Sequence, residues 1–388
     1  MAAFDEIAVP EEIACADQIF DLSFHPGGEF LACGLIDGAV ELWKYGVDEN
    51  KQIFSVNPHK GSCRGLEFNH DGTVLYTVSA DCCFRGIDGS GKETFKFTAH
   101  SSAINKMQCV TEHTFATGDD AGEVKIWDIR VGGQSPQMEW HVHEDFISGF
   151  AYSHEKHTLL STSGDATLAA YDLRKGPGKD GTQGVERSDD QEAEMHSISI
   201  LKHGRKVVCG TQEGVLLVFT WGRWGDCSDR YPGHPETIDC MYKIDESTVM
   251  TGSSDGLIRA VSVQPNKMIG VLGDHEEFPV EGMYASTDGK FMASFSHDNL
   301  VRFNDISMFC DDDDDTEEQA EEEEGAAAAA GAEEESEGSG AADDDNDDEE
   351  AMEEESDFDS GSDSDSDSDG PGGGYQIKTA AEKFYSDM

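Results

Sequence analysis

The sequence contains no C-x-x-C pair and no basic residue between Asp311 and Asp369. It also has no apolar run near the roughly 20 residues that a bilayer span needs. Each absence excludes something. The ten cysteines stand singly or as the neighbours Cys82-Cys83, which argues for reduced, mostly buried thiols and an intracellular home. The opening "MAAFDEIAVPEEIACAD" lacks the basic start and apolar run of a signal peptide, so a soluble protein without membrane contact is expected. Positive charge is scarce: 27 Lys and Arg face 81 Asp and Glu, for a formal net charge of −54. Residues 311 to 369 hold 31 of those acids, and about −23 remains on the rest. Such a chain has no broad electrostatic footprint for phosphate backbones, which excludes tight direct nucleic-acid binding. Basic proteins are its natural partners.

What the chain does have is a repeat. "LACGLIDGAVELWK" (31–44) and "GDDAGEVKIWDIR" (118–130) share a small residue, a turn, and alternating residues that end in tryptophan. The frame recurs in "LYTVSADCCFRGID", "LLSTSGDATLAAYD", "VVCGTQEGVLLVFT", "VMTGSSDGLIRAVS" and "MASFSHDNLVRFND". Its tryptophan position is filled by Trp43, Ile87, Trp127, Tyr171, Phe219, Val261 and Asn304, at intervals of 44, 40, 44, 48, 42 and 43 residues. Seven units of this length, each long enough for four short strands, predict an all-β, seven-bladed β-propeller. In "GEVKIWD" the apolar residues alternate, which predicts a strand with one face buried between neighbouring blades. The turns before such strands carry Asp-Gly (Asp37-Gly38, Asp255-Gly256), suited to a tight hairpin. After Asp305 the chain offers only "ISMFC" before the acids, so residues around Ile7–Ile13 are expected to supply the last blade's outer strand. The longest interval holds "RKGPGKDGTQGVERSDDQEAE" (174–194), which reads as a mobile loop.

Seventeen to nineteen residues before the Ser/Thr position stands a histidine in five repeats: His59, His100, His143, His234 and His275 precede Thr77, Thr117, Ser161, Thr251 and Ser294. A His–Ser/Thr–Trp arrangement with the turn aspartate can tie a blade's strands together by buried hydrogen bonds, so these histidines read as structural. The chemistry-bearing alternatives are weak. "GIDGSGKE" (86–93) resembles a phosphate-binding loop, but Glu93 replaces the required hydroxyl, and "TFKFTAH" after it alternates as a strand. It reads as a Gly-rich turn between the last two strands of blade two. His141 and His143 could share a metal on a strand, but no third ligand is placed and His143 already fits the structural position. No nucleophile has an identifiable base, and no catalytic residue, cofactor or metal is assigned.

The repeat frame is that of the WD-repeat proteins. "ATGDDAGEVKIWD", "TGSSDGLIRAV" and "WGRWGDCSDR", the last read as linking blades five and six, resemble the WD repeat-containing protein 55 family over about residues 19–309. The resemblance implies a nuclear and nucleolar scaffold for protein–protein interactions in ribosome biogenesis, in the production and processing of ribosomal RNA. Some plant relatives look like substrate receptors of cullin-RING ubiquitin ligases. Trp127-Asp128-Ile129-Arg130 matches the W-D-x-R box by which such receptors resemble one another and dock the DNA-damage-binding adaptor. Tyr171-Asp172-Leu173-Arg174 repeats it in weaker form. Arg130 and Arg174 therefore read either as adaptor contacts or as the soluble ends of strands. The only basic cluster is "KHGRK" (202–206), read as a blade hairpin, so nuclear residence rests on the resemblance.

The expected organisation is an N-terminal segment closing the last blade (1–18), the propeller (19–309), an acidic disordered tail (310–374) and a C-terminal short linear motif (375–388) with Phe384 and Tyr385. The tail cannot bury a core. Ser356, Ser360, Ser362, Ser364 and Ser366 each have an acid three residues on, as acid-directed kinases require. Each phosphate would add about −1.5 to −2 charges. The tail is either a solubilising segment or a sleeve for basic ribosomal proteins or histones. Deleting residues 311–374 should leave the thermal midpoint of the remainder unchanged, as read by circular dichroism; a lower midpoint would show that the tail contributes to a core.

Overall fold

Alternating short apolar strands and tight turns build seven four-stranded antiparallel sheets in the computed structural model, which describes residues 8–131, 135–178 and 181–309. Blade 3 is representative, with strands Ile104–Thr111, Thr114–Asp119, Glu123–Asp128 and Met138–His141 running from the ring centre outward. The first strands of neighbouring blades touch all the way round. The apolar core is not one mass but seven clusters, each shared by two adjacent blades. Val124 and Ile126 pack towards blade 4 with Tyr171, while Phe115 and Trp127 pack towards blade 2 with Tyr76 and Phe84. Both faces of each sheet are therefore buried, not one. This explains why the second strands, such as Thr248–Ser253, are buried throughout.

Ring closure uses chain ends from opposite sides of the sequence. Ile13–Ala14 pairs antiparallel with Leu300–Asp305, Ile13 opposite Val301 and Ala14 opposite Leu300, and completes blade 7. Ile13 is buried among Leu22, Phe295 and Val301. The closing strand is shorter than the Ile7–Ile13 segment expected, and it lies further along; residues 1–7 lie outside the described residues. A buried aspartate reinforces the junction. Asp21 accepts the Tyr284 hydroxyl of blade 7 at 2.6 Å and the Leu66 N–H of blade 2 at 2.9 Å.

Two expectations need correction. The stretch 174–194 is not only loop, because Val185–Arg187 within it pairs with Leu168–Asp172 as the outer strand of blade 4. "WGRWGDCSDR" does not link blades five and six. It joins the third strand of blade 5, Val215–Thr220, to the fourth, Asp229–Pro232, which begins inside it. Each segment thus contributes residues to an outer strand despite its Gly and charge.

The five histidines are buried and hydrogen-bonded as the spacing predicts. Their Nε2 atoms lie 2.8, 2.7, 2.7, 2.8 and 2.8 Å from Thr77, Thr117, Ser161, Thr251 and Ser294. In four of them Nδ1 faces a carboxylate, Asp81, Asp119, Asp165 or Asp298, at 3.0–3.1 Å. Trp127 Nε1–H completes the set in blade 3 by donating to Thr117 Oγ1 at 2.8 Å. The loop that carries each histidine also leans on the preceding blade, as where the His59 N–H donates to Gly38 O. Gly38 has φ +85°, and a Cβ there would lie 2.7 Å from His59 O, so only glycine fits that close approach.

Two measurements test this account. Ile13→Ala should cost about 2–5 kcal/mol in denaturant unfolding, since it empties a buried site at the closure; an unchanged midpoint would show that the closing strand contributes little. The second is a pH dependence. Burial lowers the pKa of His59, against the pull of Asp81, and that of His234 from 6.5 to about 4. These groups are neutral when folded and take up protons on unfolding below pH 6.5. Their contribution is therefore complete above that pH and is lost as pH falls towards about 4. The thermal midpoint should drop across this window, and His234→Gln should flatten the slope while lowering the midpoint at pH 7.

Candidate functional site

In each antiparallel blade the turns after the first and third strands share one rim of the ring, and those after the second and fourth share the other. Both W-D-x-R boxes end third strands, so both arginines reach the same rim on adjacent blades. The local construction is the same twice. Ile129 N–H donates to His113 O and Leu173 N–H to His157 O, tying each box to the first turn of its own blade. Arg130 Nε donates to Asp128 Oδ1 at 3.0 Å and Nη2 to Oδ2 at 2.7 Å. Arg174 does the same with Asp172, at 2.8 and 3.0 Å. Each aspartate also accepts the backbone N–H of its arginine. These hydrogen bonds hold the Asp128 and Asp172 carboxyls below the usual carboxylate range.

The two guanidinium groups are thus fixed in orientation, with side chains 50% and 53% exposed. A planar fork held in place suits a carboxylate or carbonyl of a partner and loses little rotamer entropy on binding. The rest of each box packs inward. Trp127 and Tyr171 are core residues, Trp127 bonded to Thr117 and Tyr171 to Ser161, and Asp128 is buried. Their part is to position the arginines. Phe384, Tyr385 and the five tail serines lie outside the described residues.

The other sequence candidates resolve into framework. "GIDGSGKE" is the turn between Cys83–Asp88 and Glu93–Thr98, where Asp88 Oδ1 accepts the N–H groups of Ser90 and Lys92, and Glu93 pairs with Arg85. His141 is exposed at a strand end, whereas His143 is buried against Asp165 and Ser161, so the two are not set to share an ion. His100, Asp119 and Glu123 come close enough to hold a cation. However, His100 is already used by Asp119 and Thr117, and Glu123 pairs with Lys125 at 2.9 Å. These residues do not fit a metal centre.

Two features were not legible in the sequence. One is a cavity of about 490 Å³ between blades 4 and 5 on the arginine rim. There Lys156 donates to Gly204 O and lies 4.0 Å from the Trp221 ring centre, with Trp224 edge-on to Trp221. "WGRWG" signalled the family but not this contact, which needs a lysine 65 positions earlier. The other is the ring centre, which Asp21, Asp239, Glu281 and Lys106 line. Burial raises the Asp239 carboxyl to about 7.

Comparisons with known proteins agree with this architecture. The WDR55 family model matches residues 10–309. WD repeat-containing protein 55 of Arabidopsis thaliana is 40% identical over 296 residues, covering 75% of this chain and 81% of the relative. WD repeat-containing protein JIP5 of Coprinopsis cinerea is 38% identical over 309 residues (77% and 74%), and human WD repeat-containing protein 55 is 36% identical over 302 residues (77% of each). A match across all seven blades at this identity means that the chain belongs to the WDR55 family of WD-repeat β-propellers.

Proposed function

We propose that this propeller is a non-enzymatic nuclear and nucleolar scaffold that holds proteins together during ribosome biogenesis. WD-repeat propellers act broadly as protein–protein platforms. The observation that carries the finer reading is charge: a family member with 81 acids against 27 bases is complementary to the basic proteins that assemble on ribosomal RNA. Ribosomal proteins or histones are the partners proposed for the acidic C-terminal region. Affinity purification of the full chain from nuclear extract should enrich ribosomal proteins and pre-ribosomal factors, with yields that fall as salt rises. Recovery of none of them at 0.1 M salt would overturn the reading.

A second reading, as substrate receptor of a cullin-RING ligase, is favoured by the paired Asp128–Arg130 and Asp172–Arg174 clamps on one rim. Arg130→Ala with Arg174→Ala should lower stability by only about 0.5–1 kcal/mol per site, because both guanidinium groups are half exposed. If these arginines dock the DNA-damage-binding adaptor, the same double variant should weaken adaptor binding by about 2 kcal/mol or more. Calorimetry on wild type and variant with matched thermal midpoints measures this. Equal binding, or none by the wild type, removes the ligase reading.

A further inference from the structure

The rim that carries Arg130 and Arg174 is not uniform in charge. In blades 4 and 5 the turns after the first and third strands are 154–157, 173–184, 202–205 and 221–228. Their described residues include six cations, Lys156, Arg174, Lys175, Lys202, Arg205 and Arg223, against two acids, Glu155 and Asp226. The matching turns of the other blades hold three cations, Lys92, Arg130 and Lys290, against eight acids among the described residues. In a chain with 27 bases and 81 acids, this sector reverses the overall balance. Two cavities open on it. The one of about 490 Å³ between blades 4 and 5 has Trp221, Trp224, Lys156, Arg174 and Lys175 in its walls. Beside it, at the ring centre, a second of about 510 Å³ has apolar walls from Phe150, Tyr152, Ile198, Ile200 and Met241. Glu155 borders both, and the bond from Lys156 to Gly204 O lies between them. Asp172 and Glu186 also border the outer cavity, but Asp172 is held by Arg174 at 2.8 Å and Lys175 at 3.4 Å. Among the described residues no carboxylate pairs with Lys156, whose charge meets only Gly204 O and the Trp221 ring.

We propose that this sector docks an acidic peptide segment of a partner protein, with carboxylates at the outer cavity and one large apolar side chain in the ring-centre cavity. Such a site is separate from both readings of function, since it needs neither a basic client nor the ligase adaptor. The Arg174 guanidinium is fixed in orientation by Asp172 and half exposed, and a fixed fork suits a carboxylate. Lys156 is partly buried beside Trp221, where the attraction of an incoming carboxylate is less damped by water. At physiological ionic strength exposed charges act over only about 8 Å, so the local excess of cations, not the net charge of −54, decides what settles there. An RNA strand fits less well. It would need an open aromatic face for a base, and Lys156 already stands 4.0 Å over the Trp221 ring.

The test uses the full chain and fluorescence anisotropy, with a fluorescein-labelled oligoglutamate carrying one phenylalanine as probe. Lys175→Glu with Arg223→Glu reverses two exposed cations and leaves Arg174 and the Lys156–Trp221 contact in place. It should weaken binding by about tenfold or more while the thermal midpoint stays put. Lys92→Glu with Lys290→Glu makes the same change in net charge elsewhere on the rim and should weaken binding by less than about threefold. On the probe, glutamine in place of glutamate should abolish binding, and serine in place of phenylalanine should weaken it about tenfold. Binding should also shift tryptophan emission, and Trp221→Phe, which keeps a ring beneath Lys156, should remove most of that shift. Carbodiimide should cross-link Lys156 or Lys175 to the probe. Five outcomes overturn the proposal: no binding by the wild type, an equal loss in both double variants, equal affinity for the glutamine peptide, cross-linking of these lysines to residues 311–369 of the chain in place of the probe, or tighter binding of oligouridylate that is lost in Lys175→Glu with Arg223→Glu. The last would assign the sector to nucleic acid.

Discussion

Closure of the ring is the constraint on which the other features depend. Each apolar cluster is made by two blades, so a blade without a neighbour on either side would expose half its core. Pairing of Ile13–Ala14 with Leu300–Asp305 converts a row of sheets with two open ends into a ring with none. The pairing contributes few hydrogen bonds itself. Its larger effect is to complete the cluster of Ile13, Leu22, Phe295 and Val301, and to bring Tyr284 to within 2.6 Å of Asp21. That contact joins residues 263 positions apart and makes the first and last repeats neighbours.

Within the ring, polar chemistry does structural work that an apolar core does not. The buried histidines would destabilise the fold if left unpaired. Paired with a hydroxyl on one side and a carboxylate on the other, they fix the angle at which each loop enters its blade. The set is not uniform. Among the described residues His234 Nδ1 has no hydrogen-bond partner, and the aspartate of its blade, Asp255, pairs with Arg259. In blade 1 Cys15 and Cys33 stand at the histidine and hydroxyl positions, four residues before Ile19 and opposite Leu22, and Gln191 stands at the histidine position of blade 5. Apolar packing between blades tolerates this variation, whereas the positive-φ turn at Gly38, wedged against the next loop, does not.

The surface combines strong negative charge with a few fixed cations. Arg130 and Arg174 are held by aspartates of their own repeats, so their orientation is a property of the fold. This is the arrangement expected where a repeat protein uses one rim for recognition: the sheet interior sets the geometry, and the turn residues supply the chemistry. The same reasoning separates the boxes into two functions. Trp127 and Tyr171 hold the blade, and the half-exposed guanidinium groups of Arg130 and Arg174 lie at its rim.

Much of this was legible from spacing alone. The repeat interval, the alternating strands and the histidine-to-hydroxyl distance are local periodicities, and hydrogen-bonded blades follow from them because each blade is nearly contiguous in sequence. The near-miss phosphate loop could be read as a turn for the same reason, since Glu93 and the alternation after it are local. What the sequence did not reveal depends on contacts between blades. That both faces of each sheet are buried follows from ring packing, not from alternation. Val185–Arg187 looked like loop because its polar residues sit on an outer strand with one free edge. Lys156 over Trp221 and the Asp21–Tyr284 bond join separate blades, and no periodicity links such positions. The amino-acid sequence by itself determined the number of blades and what holds each one together, because those interactions are short-range. Only the tertiary structure decided which residues meet across the joints, because closing the ring is what brings them within reach.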